Sequence, residues 1–283
     1  MVIDAPDELE ELMAPPGLKE AVIHAGDRLK RAKTMRITRP GGTDLTVHTG
    51  EYPTMIQYGF SEAAGRCDHW GAGHVHTFPN ELSANGTVVL MPGDIVVLPY
   101  CRYVQDEVRL DIRDGFIRKI EGRLDAKLMS DWLDGNKARP DDMDGHAISH
   151  LGWGLNPQGR WDALALNGAD PMRHHAGARC FAGNFLFSTG PNSQGGGKRT
   201  TKGHYDVPMR DCTVTLDNDV VIERGRFVGT PDLVDPVAGV YGMYDGGLHL
   251  AGEARHGDLL VAKCRATFIT VAPGTFAQAP DPR

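Results

Sequence analysis

Apolar residues recur with two different periods along this chain, and the change of period divides it. Residues 7–34 follow the helical period. After a break at Pro15-Pro16-Gly17, residues Leu18, Ala21, Val22, Ala25 and Leu29 fall on one face, which predicts an amphipathic helix. From residue 35 the period shortens to two. Met35–Arg39 and Leu45–His48 flank Pro40-Gly41-Gly42 and read as a hairpin. Asn85–Leu90 and Asp94–Leu98 flank Pro92-Gly93. Val108–Ile112 and Phe116–Ile120 flank Asp114-Gly115, the strongest hairpin signal in the chain. There Val108, Leu110 and Ile112 alternate with Arg109, Asp111 and Arg113, the pattern of a sheet with one wet face.

Beyond that hairpin, residues 126–133 predict a short amphipathic helix, and 135–145 a polar loop leading to His146 and His150. Phe181–Phe187 and Cys212–Leu216 read as buried strands. The glycine-rich stretch Thr189–Gly203 lies between them as a loop. Residues 237–250 and 258–271 read as further β structure, followed by a disordered tail of about a dozen residues. The fold class expected is α+β, dominated by antiparallel strands. Three regions are expected: a helical segment over 1–34, a catalytic domain over 35–228, and an extension over 229–283 packed on the core.

Composition narrows the class of protein. The chain has 283 residues, 41% of them hydrophobic and 24% charged, which suits a globular enzyme. The longest apolar runs fall short of a membrane helix, so no membrane association is expected. A net charge of −7 argues against non-specific nucleic-acid binding. The N-terminus opens on Asp4, Asp7, Glu8, Glu10 and Glu11 without the marks of a secretory signal. The five cysteines are scattered and form no CxxC pair. These features predict reduced thiols and a cytoplasmic location.

Candidate chemistry gathers in three places. In His204-Tyr205-Asp206 an extended backbone would turn both outer side chains to one face, where a single metal could take both. The plain alternative is an edge-strand histidine and an aspartate opening the turn before Pro208. The preceding loop, with Gly195-Gly196-Gly197, suits a backbone that passes close to a ligand or flexes over it. His150 would complete a set of two imidazoles and one carboxylate, the facial triad of non-haem Fe(II), which leaves open positions for substrate and O₂. Its alternative is a core histidine bonded to backbone. The third place is Asp68-His69-Trp70, followed by His74 and His76. His69 could act as a general base beside Asp68, and Trp70 could form an aromatic wall. His74 and His76 would share a face of a strand, and a second metal there is conceivable. Phosphate loops, dinucleotide fingerprints and a nucleophile elbow are absent.

Several long stretches carry a resemblance: Asp68-His69-Trp70, Phe78-Pro79-Asn80-Glu81, Ile148 to Pro157, Gly183 to Asn192, Gly196 to Arg199, and His204-Tyr205-Asp206. Together they resemble the 2,5-dihydroxypyridine 5,6-dioxygenase family, over roughly residues 5–225. That family's fold is related to the M29 metallo-aminopeptidases of the aminopeptidase T type. The resemblance implies a mostly antiparallel β metal-binding domain with a short helical N-terminus. It also implies a mononuclear Fe(II) on His150, His204 and Asp206, and His69 as acid/base beside the substrate with Asp68 behind it. Gln57, Trp70, Asn184 and Thr189 are expected to touch the substrate. The implied activity is extradiol-type cleavage of a hydroxylated N-heteroaromatic ring by O₂. The peptidase relatives carry a glutamate where His150 stands, which favours one iron over a two-metal hydrolytic centre. A metallo-aminopeptidase and a non-catalytic subunit are the competing expectations. Three departures stand out. Gln57 occupies the position of a family glutamate, and its neutral amide suits a substrate that bears a carboxylate or needs amide hydrogen bonds. His74 and His76 have no counterpart in the family enzyme. The N-terminal domain of full-length members is expected to be missing, so that residues 229–283 or a neighbouring subunit of a homo-oligomer would close the pocket.

Overall fold

The structure is a computed structural model that describes residues 12, 14–62, 64, 66, 68, 69, 71–166, 175–229, 247–256 and 259–269. Two compact units divide at residues 233 and 234. In the first, helix α1 (Leu18–Arg31) forms where the apolar spacing predicts it and buries Leu18, Ala21, Val22, Ala25, Gly26 and Leu29. Arg28, Lys30 and Arg31 complement the partial negative charge of its last turn. The strands that follow are β1 (Thr34–Arg39), β2 (Thr43–His48), β3 (Met55–Gln57), β4 (His74–Thr77) and β5 (Asn85–Leu90). Next come β6 (Ile95–Val96), β7 (Arg102–Tyr103), β8 (Val108–Arg113) and β9 (Phe116–Gly122). Helix α2 (Leu124–Gly135) precedes β10 (Leu151–Gly154), and the short helices α3 (Ala163–Leu166) and α4 (His175–Cys180) precede β11 (Phe185–Thr189). Strands β12 (Tyr205–Met209), β13 (Thr213–Leu216), β14 (Asp219–Glu223) and β15 (Arg226–Phe227) close the unit.

These strands form two large antiparallel sheets. The first has eight strands in the order β15-β14-β13-β1-β2-β5-β8-β9, and the second has five, β12-β11-β10-β4-β3. Both hairpins expected from turn chemistry are present: β1 pairs with β2, and β8 pairs with β9. The strands on either side of Pro92-Gly93 do not pair with each other. β5 pairs with β2 and β8, while β6 pairs with β7. One continuous core joins α1, α2 and the apolar faces of both sheets, including Met35, Leu45, Leu110, Trp153, Phe187 and Val207. Gly26 lets α1 lie close to β3, because a Cβ there would fall 2.4 Å from Ile56 Cγ2.

The second unit contains a hairpin of β16 (Gly247–His256) and β17 (Leu259–Ile269). β17 lies within the expected region 258–271, whereas β16 shares only residues 247–250 with the expected region 237–250 and runs on to His256. The remainder of those regions and the expected disordered tail fall outside the described residues. No described helix is long and apolar enough to cross a membrane.

Candidate active site

The five-stranded sheet has two unlike faces, and its register shows why. Gln57 stands opposite His74, and Met55 opposite His76. His76 and His74 stand opposite Gly152 and Gly154. Gly152 meets Leu186, and Leu186 and Ser188 meet Pro208 and Asp206. Cross-strand partners share a face and alternate residues change face. One face therefore carries Gln57, His74, His76, Ser188 and Asp206. The other carries Val75, Leu151, Trp153, Phe185, Phe187, Tyr205 and Val207, which belong to the core. His150 and His204 each precede a strand by one residue and fall in step with the polar face. Gly152 and Gly154 keep the middle strand bare there. A Cβ at Gly154 would lie 2.4 Å from the Cys180–Phe181 backbone, which packs directly on it.

The structure brings His150, His204 and Asp206 together, with one ligand atom from each lying within 4.8 Å of the others. His150 Nε2 is 3.3 Å from Asp206 Oδ1, and His204 Nε2 is 3.5 Å from Asp206 Oδ2. His150 Nε2 and Asp206 Oδ1 are both buried and make no hydrogen bond, to each other or elsewhere. Buried polar atoms are rarely left so. Two that point past each other at this distance fit a shared cation. The backs of both imidazoles are held. His204 Nδ1 lies 2.7 Å from the Thr189 carbonyl, which fixes the proton on Nδ1 and frees the Nε2 lone pair. His150 Nδ1 lies 3.2 Å from Ser188 Oγ. Two imidazoles and a carboxylate with their second ring nitrogens occupied are a donor set suited to Fe(II).

Electrostatics follow from burial. Burial would raise the Asp206 pKa, but the His204 and His150 rings hold it far below the usual carboxylate range. Burial pushes His150 down to about 3, against the pull of Asp206, so its ring is neutral as a metal ligand must be. Burial would lower His204 as well, but Asp206 beside it raises it.

Neighbouring elements fix the backbone of these residues. The amide of Asp206 donates to Leu98 O at 3.1 Å, and its carbonyl accepts from Val97 N at 2.9 Å. Trp132 Nε1, from α2, donates to His204 O at 3.2 Å. Arg199 donates to the Ile148 and Gly190 carbonyls and pairs with Glu81 at 2.6 Å. Glu81 also accepts from Tyr52 and Asn192. This network ties the glycine-rich loop to the approach of His150. The glycines of that loop serve packing. A Cβ at Gly195 would lie 2.5 Å from the Phe78 ring, and one at Gly197 would lie 2.1 Å from the Asn192 amide. Phe78 in turn stands edge-on to His150, with ring centroids 5.8 Å apart.

The other expected residues occupy varied places. His69 is exposed, with Nδ1 3.4 Å from Arg179 Nη1. The surrounding protein and the Arg179 charge lower its pKa, and Asp68 opposes them. Asp68 accepts from Arg66 at 2.6 Å and from the amides of Tyr58 and His69. Trp70 lies outside the described residues. Gln57 is buried beside His74. Asn184 spends its amide on Gly154 N, Ala178 O and Arg179 O, and so holds α4 against β10. Thr189 serves through its carbonyl, because the pleat turns its hydroxyl to the face of Phe187. Sequence reasoning missed Ser188 and Arg179. Arg179 projects charge onto His69, His74, His76, His150, His204 and Asp206. A lone arginine on a six-residue helix carries no spacing signal. Ser188 could have been found by carrying the pleat back from Asp206 to the strand before it.

The chain is similar over most of its length to known proteins. A family model described as 2,5-dihydroxypyridine 5,6-dioxygenase matches residues 1–229. The 2,5-dihydroxypyridine 5,6-dioxygenase of Pseudomonas putida KT2440 is 38% identical over 229 residues, which is 81% of this chain and 63% of that protein. A solved structure of 2,5-dihydroxypyridine dioxygenase from Pseudomonas putida KT2440 superposes with a TM-score of 0.76 at 38% identity, covering 81% of this chain and 64% of that one. This chain thus spans less than two thirds of the length of those relatives. Wild-type AmpT from Thermus thermophilus, at 18% identity, superposes with a TM-score of 0.55 over 78% of this chain and 57% of its own. That likeness shows the fold alone, the aminopeptidase T type expected from the sequence.

Proposed function

The chain belongs to the 2,5-dihydroxypyridine 5,6-dioxygenase family, and from that premise we propose that it is a non-haem Fe(II) dioxygenase that opens a hydroxylated N-heteroaromatic ring, 2,5-dihydroxypyridine or a substituted analogue, with O₂. The observation that carries this reading is the buried pair His150 Nε2 and Asp206 Oδ1, unpartnered and 3.3 Å apart, with His204 beside them. His150, His204 and Asp206 would hold the iron. The iron, when bound, links an electron-rich ring to O₂ and overcomes the spin barrier between them.

The chain's own groups supply orientation, proton transfer and exclusion of water. His69, kept neutral by its surroundings and Arg179, takes the proton of the ring hydroxyl. Proton arrival at Nδ1 removes the acceptor that Arg179 had at 3.4 Å, and leaves the guanidinium to the ring oxyanion. Asp68, braced by Arg66, holds the His69 backbone through its amide. Asn184 keeps α4, and Arg179 with it, over the polar face. Among the described residues only one group of three metal-binding side chains is present, which supports one ion over the two of a peptidase centre. A cytoplasmic homo-oligomer remains the proposed setting. The test is purification without oxygen, loading with Fe(II), and oxygen uptake against a panel of hydroxypyridines and catechols. Uptake with hydroxypyridines at one iron per chain is expected. Bound zinc in place of iron, with peptide hydrolysis and no oxygen uptake, would overturn the reading.

A further inference from the structure

We propose that His74 and His76, with Gln57 beside them, form a second recognition surface on the metal-binding face of the sheet, one that selects a ring bearing a neutral substituent able to donate and accept hydrogen bonds, a carboxamide above all. This inference rests on reading the site as one for hydroxypyridines. All four residues of β4 are buried, and its two histidines lie on the face that carries the metal ligands. The His76 ring centroid is 5.1 Å from that of His150, and 5.2 Å from that of His74.

His74 Nδ1 and His76 Nδ1 are 3.2 Å apart. Two lone pairs would repel at that distance, and two N–H groups would collide. One ring therefore carries its proton on Nδ1 and donates to the other, whose own proton then sits on Nε2. The two Nε2 atoms are thus unlike: one is a lone pair and one is an N–H. Both are buried and have no partner in the protein. Side chains so deeply buried seldom leave two such atoms unpaired, so a ligand that offers one acceptor and one donor fits them. Gln57, buried and opposite His74, adds an uncharged amide with the same double capacity. A carboxylate can only accept, so it would face the remaining lone pair. A methyl group would satisfy neither nitrogen. A second metal is disfavoured because no third ligand among the described residues joins the histidine pair.

The test uses the Fe(II)-loaded protein without oxygen and isothermal titration with 2,5-dihydroxypyridine and its carboxamide, carboxylate and methyl derivatives. The carboxamide should bind at least about 10-fold more tightly than the carboxylate and methyl rings, the scale of one or two well-made hydrogen bonds. His74→Phe and His76→Phe, checked for iron content, should bring that ratio to within about 2-fold. The wild-type ranking needs no variant. Equal affinities there would overturn the inference alone, leaving the dioxygenase reading intact. Failure of every ring to bind would overturn both.

Discussion

In the eight-stranded sheet, β2 and β8 alternate buried and open positions along their length. In the five-stranded sheet, β4, β10, β11 and β12 are buried at every position. Both sheets place one apolar face on the same core. The difference lies in the opposite faces. Water satisfies the polar side chains of the first sheet. In the second, polar side chains are shut away from water, so whatever satisfies them must be built in or bound. Ser188 and the Thr189 carbonyl are built in. The orphaned nitrogens of His74, His76 and His150 and the orphaned oxygen of Asp206 are left for something bound. A sheet buried on both faces and polar on one is therefore a strong physical sign of a site.

The contrast can be broken most sharply at the ligands. His150→Ala, His204→Ala and Asp206→Ala should each abolish iron retention by elemental analysis, because two remaining ligands cannot hold Fe(II) against water. Leu110→Ala, in the other sheet, should instead lower stability by about 2–5 kcal/mol in denaturant titration and leave the iron content of the folded protein unchanged. Normal iron in any two of the three ligand variants would refute the triad. Next in size is His69→Ala, which should keep iron but lose turnover by about 10²–10⁴-fold, as for removal of a general base. Loss of iron together with activity would place the base elsewhere. Ser188→Ala should weaken iron affinity by about 10–100-fold in a chelator competition, since it frees the back of the His150 ring. The smallest effect is expected at Gln57. Gln57→Glu should lower kcat/KM for a carboxylated ring relative to 2,5-dihydroxypyridine by roughly 10-fold, because like charges meet in a partly desolvated pocket. An unchanged ratio would remove Gln57 from the pocket.

Most of the eight-stranded sheet could be read from the sequence, because alternation and turn chemistry act locally. Asp114-Gly115 and the Val108–Ile112 pattern specify their hairpin without help from distant residues. The five-stranded sheet was harder. β10 and β4 are only four residues long, too short for a period of two to stand out from the chain around them. Their pairing is long-range and set by the core they share. The triad was legible because HxD in an extended strand is a local geometric fact, and His150 came from family likeness. Arg179 was invisible because its importance depends on α4 folding back over β10, a contact arranged by Asn184 and Gly154. The triple glycine suggested a backbone passing close to a ligand. What it accommodates is a phenylalanine ring and an asparagine amide.

Strand order also has a consequence for descent. The metal ligands enter at β10 and β12, strands held in the interior or fastened to the segment at Val97 and Leu98. Gln57 enters at β3, which has a single hydrogen-bonded neighbour in the sheet. Mutation at such an edge disturbs one ladder, whereas mutation around His150 disturbs two. Lineages that share this scaffold can therefore vary the site through β3 while keeping the His150, His204 and Asp206 cluster unchanged. Divergence in diet should accumulate at one end of the sheet, and constancy of chemistry at the other.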